Sequence, residues 1–288
     1  VGLAEHLRTI VEARGAAVMG IVNVTPDSFF AGGRHAAPSD ACAHVDALLA
    51  AGADLIDIGG ESTRPGAHAV AAGEQIVRIE PVVRHALGKN ALVSIDTANA
   101  EVAERMLRLG AQIVNDVSCL ADPQLAKVTA AHGATLVLMH SRGPMEKMAG
   151  FSQYPDSGYA DVVLDVLAEW RMARDRAIGE GMPSANIWLD PGLGFAKNAA
   201  QSLTLLSRLS ELAHEGVPVV VGPSRKSFIA SVDAAPPEER LGGTIAACTL
   251  AVQKGARVLR VHDVASVRQA LAITRAVSQK AEEAVHAG

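Results

Sequence analysis

Eight apolar runs in this 288-residue chain each end in residues that bind or carry charge, and the types sort into two chemical sets. Asn23 closes the first run, ahead of Thr25-Pro26-Asp27-Ser28. Asp57, Glu61, Thr63 and Arg64 close the second, Asp96 the third, and Asn115-Asp116 the fourth. Met139-His140 ends the fifth, Asp190-Pro191-Gly192 the sixth, Ser224-Arg225-Lys226-Ser227 the seventh, and Arg260 with His262-Asp263 the eighth. Arg64, Arg260 and His262, with Asn23 and Thr63, form a donor set suited to an oxyanion; arginine adds a rigid fork that matches phosphate. Asp96, Asn115 and Asp190 form an acceptor set. It suits a flat heterocycle with amidine-like N–H groups, because a buried carboxylate takes two parallel N–H bonds and is costly unpaired. Met139 and Phe195 are apolar walls for such a ring or ordinary core residues. Ser224-Arg225-Lys226-Ser227-Phe228 enters a helix and reads either as a carboxylate seat with Lys226 reaching inward, or as a surface basic pair. His140 reads as a satisfied core imidazole in preference to a metal ligand. Asp57 with Glu61 reads as a pair that positions a cation or a partner arginine, or as scaffold, the latter preferred.

The runs that must hold these groups are β-capable: Val18–Val24, Leu55–Ile58, Leu92–Ile95, Ile113–Val114, Thr135–Met139, Ile187–Leu189, Pro218–Val221 and Val258–Val261. Alanine-rich segments with helical spacing lie between them, Ala100–Leu109 and Leu203–Leu212 among them. Gly52, Gly110, Gly133, Gly181, Gly216 and Gly255 each stand just before the next run, where a helix ends on a left-handed residue. Strands apolar on both faces, alternating with helices, imply a parallel sheet covered by helices. The repeat number favours a closed (β/α)8 TIM barrel, an α/β single domain over 1–288 with the barrel at about 17–280, with catalytic groups at the carboxyl ends of its strands. An open doubly wound sheet is the alternative, but no Gly-x-Gly-x-x-Gly follows the first strand. Two long connections stand out, Gly32–Pro38 and Ser141–Gly158, and Pro236-Pro237 breaks the segment between the last two strands.

Composition excludes other classes. A net charge of −5 and 3% aromatic residues argue against nucleic acid as a partner. No apolar run approaches the roughly 20 residues that span a bilayer, and the first residues carry no signal-peptide pattern. Cys42, Cys119 and Cys248 are few, odd in number and far apart, the pattern of reduced cysteines. The expectation is a cytoplasmic small-molecule protein with no membrane partner. No Gly-x-Ser-x-Gly, His-Glu-x-x-His or Walker loop is present.

From Met19 to about Arg275 the sequence resembles the dihydropteroate synthase family of pterin-binding barrels. The resemblance rests on Met-Gly-Ile-Val-Asn-Val-Thr-Pro-Asp-Ser-Phe at 19–29, Asp-Ile-Gly-Gly-Glu-Ser-Thr-Arg-Pro-Gly at 57–66 and Ser-Ile-Asp-Thr at 94–97. It continues through Asn-Asp-Val at 115–117, Leu-Met-His at 138–140, Asp-Pro-Gly-Leu-Gly-Phe at 190–195, Ser-Arg-Lys-Ser-Phe at 224–228 and Arg-Val-His-Asp-Val at 260–264. It implies condensation of 6-hydroxymethyl-7,8-dihydropterin diphosphate with 4-aminobenzoate, releasing pyrophosphate, in folate biosynthesis. By resemblance, Asp96, Asn115, Asp190 and Lys226 hold the pterin between Met139 and Phe195. Asn23, Thr63, Arg64, Arg260 and His262 hold the diphosphate, with Mg2+ at Asn23, and Ser227 receives the aminobenzoate carboxylate. Asp96, Asp190, Lys226 and Arg260 are the expected catalytic groups. The expected mechanism is dissociative, under loops Thr25–Gly33 and Thr63–Gly66 that close over the site. A homodimer through the last helices and a sulfonamide target are implied in the same way.

The chain departs from the family in places. Phe29-Phe30-Ala31-Gly32-Gly33 lacks the acid usual there, Gln201-Ser202 replaces His-Asn, Ser141 replaces Met, and 143–150 is atypical. Two alternatives remain at this stage. A methyltetrahydrofolate methyltransferase of the same barrel type shares the pterin carboxylates but does not need Arg64, Arg260 and the seat together. A non-catalytic pterin-binding relative has only the missing loop acid in its favour.

Overall fold

The computed structural model describes residues 3–25, 38–62, 69–143, 150 and 152–286. Eight parallel strands are present: β1 (Ala17–Asn23), β2 (Leu55–Gly59), β3 (Leu92–Asp96), β4 (Ile113–Asp116), β5 (Thr135–Met139), β6 (Ile187–Asp190), β7 (Val220–Val221) and β8 (Val258–Val261). They form one sheet in the order β6-β5-β4-β3-β2-β1-β8-β7. A parallel bridge between Leu189 and Val219, with the Leu189 N–H donating to Pro218 O at 3.0 Å, brings β6 against β7 and closes the barrel. The expected (β/α)8 TIM architecture is therefore the observed one.

The helices are α1 (Leu3–Arg14), α2 (Pro38–Ala50), α3 (Ala72–Gly88), α4 (Ala100–Leu109), α5 (Pro123–Ala131), α6 (Val162–Gly179), α7 (Ala199–Ser207), α8 (Leu209–Ala213), α9 (Ser227–Ala230), α10 (Leu241–Gln253) and α11 (Val264–His286). The six glycines expected to stop helices all take positive φ, from 61° at Gly133 to 112° at Gly110. The one helix expected at Leu203–Leu212 is instead two. It begins at Ala199 and breaks at Arg208, whose guanidinium is held by Asp161 and Glu211, so tertiary bonds override a continuous helical pattern. Pro236-Pro237 opens a single 3-10 turn, Pro237–Glu239.

Two packed layers position the site. Outward strand residues such as Val18, Ile56, Ile58, Val93, Ile95, Val114, Leu136 and Leu138 are buried under the helices. Inward residues Ala17, Met19, Leu55, Ile113, Val137, Trp188, Val220 and Val258 fill the amino-terminal half of the barrel, where Leu7 of α1 plugs the base. Both faces are apolar at this level, which is why the strands do not alternate in hydrophobicity although their side chains alternate in direction.

Candidate functional site

Continuing the inward parity up each strand converts the apolar filling into chemistry. Met19 leads to Ile21 and Asn23, Leu55 to Asp57, Ile113 to Asn115, Val137 to Met139, Trp188 to Asp190, and Val258 to Arg260 and His262. Asp96 stands beside Asn115 and Gly59 in the strand register, and Met139 beside Asp190. The strand-borne residues among those expected and described thus share one face at the carboxyl ends of the strands, where barrels carry their sites.

At the centre, the two chemical sets read from the sequence are joined, not separate. Arg260 donates from Nε to Asp57 Oδ2 and from Nη2 to Asp96 Oδ2, both at 2.6 Å. Asn115 Nδ2 donates to the same Asp57 oxygen at 3.2 Å. Asp57, read from the sequence as scaffold or as partner to an arginine, is fully buried and orients both the guanidinium and the amide. Burial pushes the Asp96 carboxyl above its usual range, against the pull of Arg260 and with the push of Asp57. Asp96 Oδ1 is buried and has no hydrogen-bond partner among the described residues, which leaves one acceptor for a guest. Glu61, the other expected scaffold acid, accepts from Val70 N–H and Gln75 Nε2.

The opposite wall is built by β6, β7 and the turn after β6. Asp190 is buried, accepts the Gly192 N–H at 2.7 Å, and is pushed up by burial while Lys226 pulls it down. Gly192 has φ 65°, and a Cβ there would stand 2.0 Å from His140 O, so glycine alone fits this turn. Lys226 points inward, donating to Leu193 O with its ammonium 4.6 Å from the centre of the Phe195 ring. Burial lowers it to about 8, with Asp190 resisting. The surface-basic-pair reading of Arg225-Lys226 therefore does not hold. Arg225 is committed to Asp263 through Nε at 2.9 Å and Nη2 at 2.6 Å. Three carboxylates, Asp57, Asp96 and Asp190, face the cations Arg260 and Lys226, so the floor sets buried acceptors beside a guest that becomes positive.

At the rim, His262 has an exposed edge and its Nδ1 lies 2.9 Å from Ser224 Oγ, which also accepts the His262 backbone N–H at 3.2 Å. With Ser224 donating to Nδ1, the ring proton sits on Nε2, the nitrogen left for an oxyanion. Partial burial and the neighbouring Arg260 and Arg225 lower the imidazole from its usual range and favour its neutral form. Asn23 is half-buried at the end of β1. Ser227 Oγ lies 2.8 Å from Ser152 Oγ. The seat differs from expectation in one respect: α9 is four residues long, too short for a substantial helix dipole. Thr63, Arg64 and most of the two expected lids (Pro26–Gly33 and Thr63–Gly66) lie outside the described residues.

Sequence reasoning missed the support beneath this floor. Lys197, fully buried, donates from Nζ to His140 Nδ1 at 2.9 Å, His140 O at 3.2 Å and Phe195 O at 2.9 Å. Burial draws the ammonium down to about 7, yet three acceptors for three protons favour its charged form. His140 in turn bonds Glu169 through Nε2 at 3.0 Å, the satisfied core imidazole expected of it. Gln201-Ser202 is structural too: Gln201 forms a capping box with Asn198 and donates to Pro155 O, and Ser202 Oγ receives the Gly194 N–H.

Burial and the Lys197 cation hold His140 at about 4, below the roughly 6.5 of an unfolded imidazole, and this sets a pH dependence. Between these values the unfolded chain binds a proton that the folded one refuses. The stabilisation is therefore whole above pH 6.5 and is lost, by about 3 kcal/mol, as pH falls to 4. Urea unfolding across that range is expected to show a shallower slope in His140→Gln than in the parent.

Comparison with known proteins agrees with this geometry. The profile of the family described as Pterin binding enzyme matches residues 19–262. The dihydropteroate synthase of Bacillus subtilis is 40% identical over 252 residues, covering 87% of this chain and 84% of its own. The solved structure of Xanthomonas albilineans dihydropteroate synthase with 4-aminobenzoic acid aligns with a TM-score of 0.84 at 41% identity, covering 91% of this chain and 93% of that one. The same enzyme in complex with 7,8-dihydropteroate gives 0.81 at 37% identity, over 91% and 94%.

Proposed function

Since this chain belongs to the pterin-binding enzyme family and stands among its dihydropteroate synthases, we propose how its own residues divide the work of that reaction. It is a transferase that joins 6-hydroxymethyl-7,8-dihydropterin diphosphate to 4-aminobenzoate, giving 7,8-dihydropteroate and pyrophosphate. The observation that carries the assignment of roles is that Asp96, Asn115, Asp190 and Arg260 face inward at their strand ends, with Lys226 reaching in from the turn after β7. Asp96 and Asp190 accept N–H bonds from the pterin edge, Asn115 donates and accepts beside them, and Lys226 donates to the ring's acceptor face. Met139 and Phe195 enclose the ring. Arg260, tied to Asp96, reaches from the pterin to the diphosphate, which His262 Nε2–H, Asn23, Thr63 and Arg64 share.

The reaction is dissociative in this reading. The bond from the exocyclic methylene to the diphosphate oxygen breaks, its electron pair leaves with the diphosphate, and the developing cation spreads into the pterin. The carboxylates of Asp57, Asp96 and Asp190 stabilise that cation, while Arg64, Arg260 and His262 stabilise the leaving oxyanion. The amine of 4-aminobenzoate, its carboxylate at Ser227, then forms the C–N bond and loses a proton to solvent. A bridge-to-nonbridge oxygen-18 exchange experiment on the pterin diphosphate without the amine tests this order. Scrambling is expected; its absence under turnover conditions contradicts a cation formed before attack.

Asn23 would hold Mg2+. The donor set fits a hard cation that keeps most ligands from substrate and water: a half-buried amide oxygen, with no cluster of three His, Cys, Asp or Glu suited to a metal among the described residues. Bound there, the ion neutralises diphosphate charge. Two copies of the chain pair through their last helices, where α11 exposes Ile273 and Val277. Among the described residues no helix is long and apolar enough to cross a membrane, in keeping with a cytoplasmic enzyme, and the 4-aminobenzoate site is the one sulfonamides would occupy.

Lys226 gives this reading a pH signature. Its ammonium donates only when protonated, so kcat/KM for the pterin diphosphate is expected to fall as pH rises through about 8. In Lys226→Arg that limb moves to higher pH, and a limb left in place would remove Lys226 from the role.

A further inference from the structure

We infer that Ser152, in the loop after β5, is a positioning residue for the aminobenzoate carboxylate and acts by orienting the hydroxyl of Ser227. The inference rests on the reading of Ser227 as the carboxylate's seat.

The loop's backbone is clamped without the Ser152 side chain. Ser152 N–H donates to Gly194 O at 3.3 Å, and the residue forms a parallel bridge with Asn198. Asn198 Nδ2 donates to Tyr154 O at 3.2 Å and Asp156 Oδ1 at 2.7 Å, and Gln201 Nε2 to Pro155 O at 3.1 Å. Inside this clamp Ser152 has φ 62°. Glycine adopts that conformation freely, whereas an L-residue other than Asn or Asp pays for it in steric strain. The serine in this strained conformation supplies a hydroxyl that glycine would lack, and that hydroxyl meets Ser227 Oγ at 2.8 Å. Strain of this kind collects at functional sites.

Proton counting gives the direction. Each hydroxyl has one proton. If Ser227 donated to Ser152, none would remain for a carboxylate. An ionised acceptor takes the stronger bond, so Ser227 turns its proton to the carboxylate and Ser152 donates to Ser227 Oγ. Chained in this order, each bond polarises the next. Among the described residues, α9 is too short for a useful dipole and the Arg225 guanidinium belongs to Asp263. The ligand class favoured is an arylamine with an anionic acceptor para to the amine.

Ser152→Gly tests the inference, because it removes the hydroxyl while suiting the backbone. Its Tm is expected to equal or exceed the parent's. Its KM for 4-aminobenzoate rises about fivefold, the worth of one neutral hydrogen bond, with KM for the pterin diphosphate unchanged. Ser227→Ala raises the same KM, and the double variant is no worse than Ser227→Ala alone. If Ser227→Ala raises KM and Ser152→Gly does not, the role of Ser152 is overturned and the seat stands. If Ser227→Ala leaves KM unchanged, the seat itself is wrong. A rise in both substrates' KM with a lower Tm would make Ser152 a packing residue only.

Discussion

Arg260→Met is expected to destabilise the fold by about 3–5 kcal/mol and to abolish measurable turnover. The side chain is the shared cation of two carboxylates whose exposure is 0% and 3%, so its removal leaves both in the barrel without that countercharge. Desolvated carboxylates without a partner bind protons more readily than in the unfolded chain. A folded pKa raised in this way gives stability that is present at low pH and lost as pH rises. The deficit measured by urea unfolding should therefore be smaller at pH 5 than at pH 8. Adding Asp57→Asn to the variant relieves part of it, since one stranded charge goes. A deficit independent of pH would mean that packing, not charge, holds this centre together.

Asp96→Asn is expected to leave the fold intact and to lower kcat by on the order of 10²–10³-fold, the usual effect of removing one preorganised electrostatic contact. The amide keeps the shape but not the charge. It must also turn its NH2 either against the Arg260 donor or against the pterin N–H edge, and each choice sets donor against donor. Binding of the intact pterin diphosphate should weaken less than single-turnover rate, because the carboxylate is worth most once the cation develops. Unchanged turnover would refute the charge-stabilising role of the floor.

The barrel was legible because the apolar runs give way to polar residues and six of the helices stop at a glycine, two local signals that need no tertiary knowledge. The site was legible as an inventory for the same reason. Its wiring was not. Sorting by sign put Arg260 with the diphosphate and Asp96 with the pterin, whereas the fold spans 164 residues to bond them together. The inward parity that runs from Val258 to Arg260 and His262, or from Ile113 to Asn115, would have placed these groups on one face. It is hidden because the outward residues are just as apolar. Lys197 gave no signal, since its partners His140 and Phe195 meet it only through the turn that Gly192 permits. Arg208, which splits α7 from α8, sits in an unbroken helical pattern and is decided by Asp161 across the molecule. The four-residue α9 shows the opposite error, where a helix start promised a dipole that its length does not supply.

The most direct test is to incubate the purified chain with 6-hydroxymethyl-7,8-dihydropterin diphosphate, 4-aminobenzoate and Mg2+, following pyrophosphate and 7,8-dihydropteroate together. The dissociative synthase chemistry predicts that both appear at equal rates and that both slow by about 10²–10³-fold in Asp96→Asn. Tight binding of the pterin diphosphate with no pyrophosphate released would contradict it.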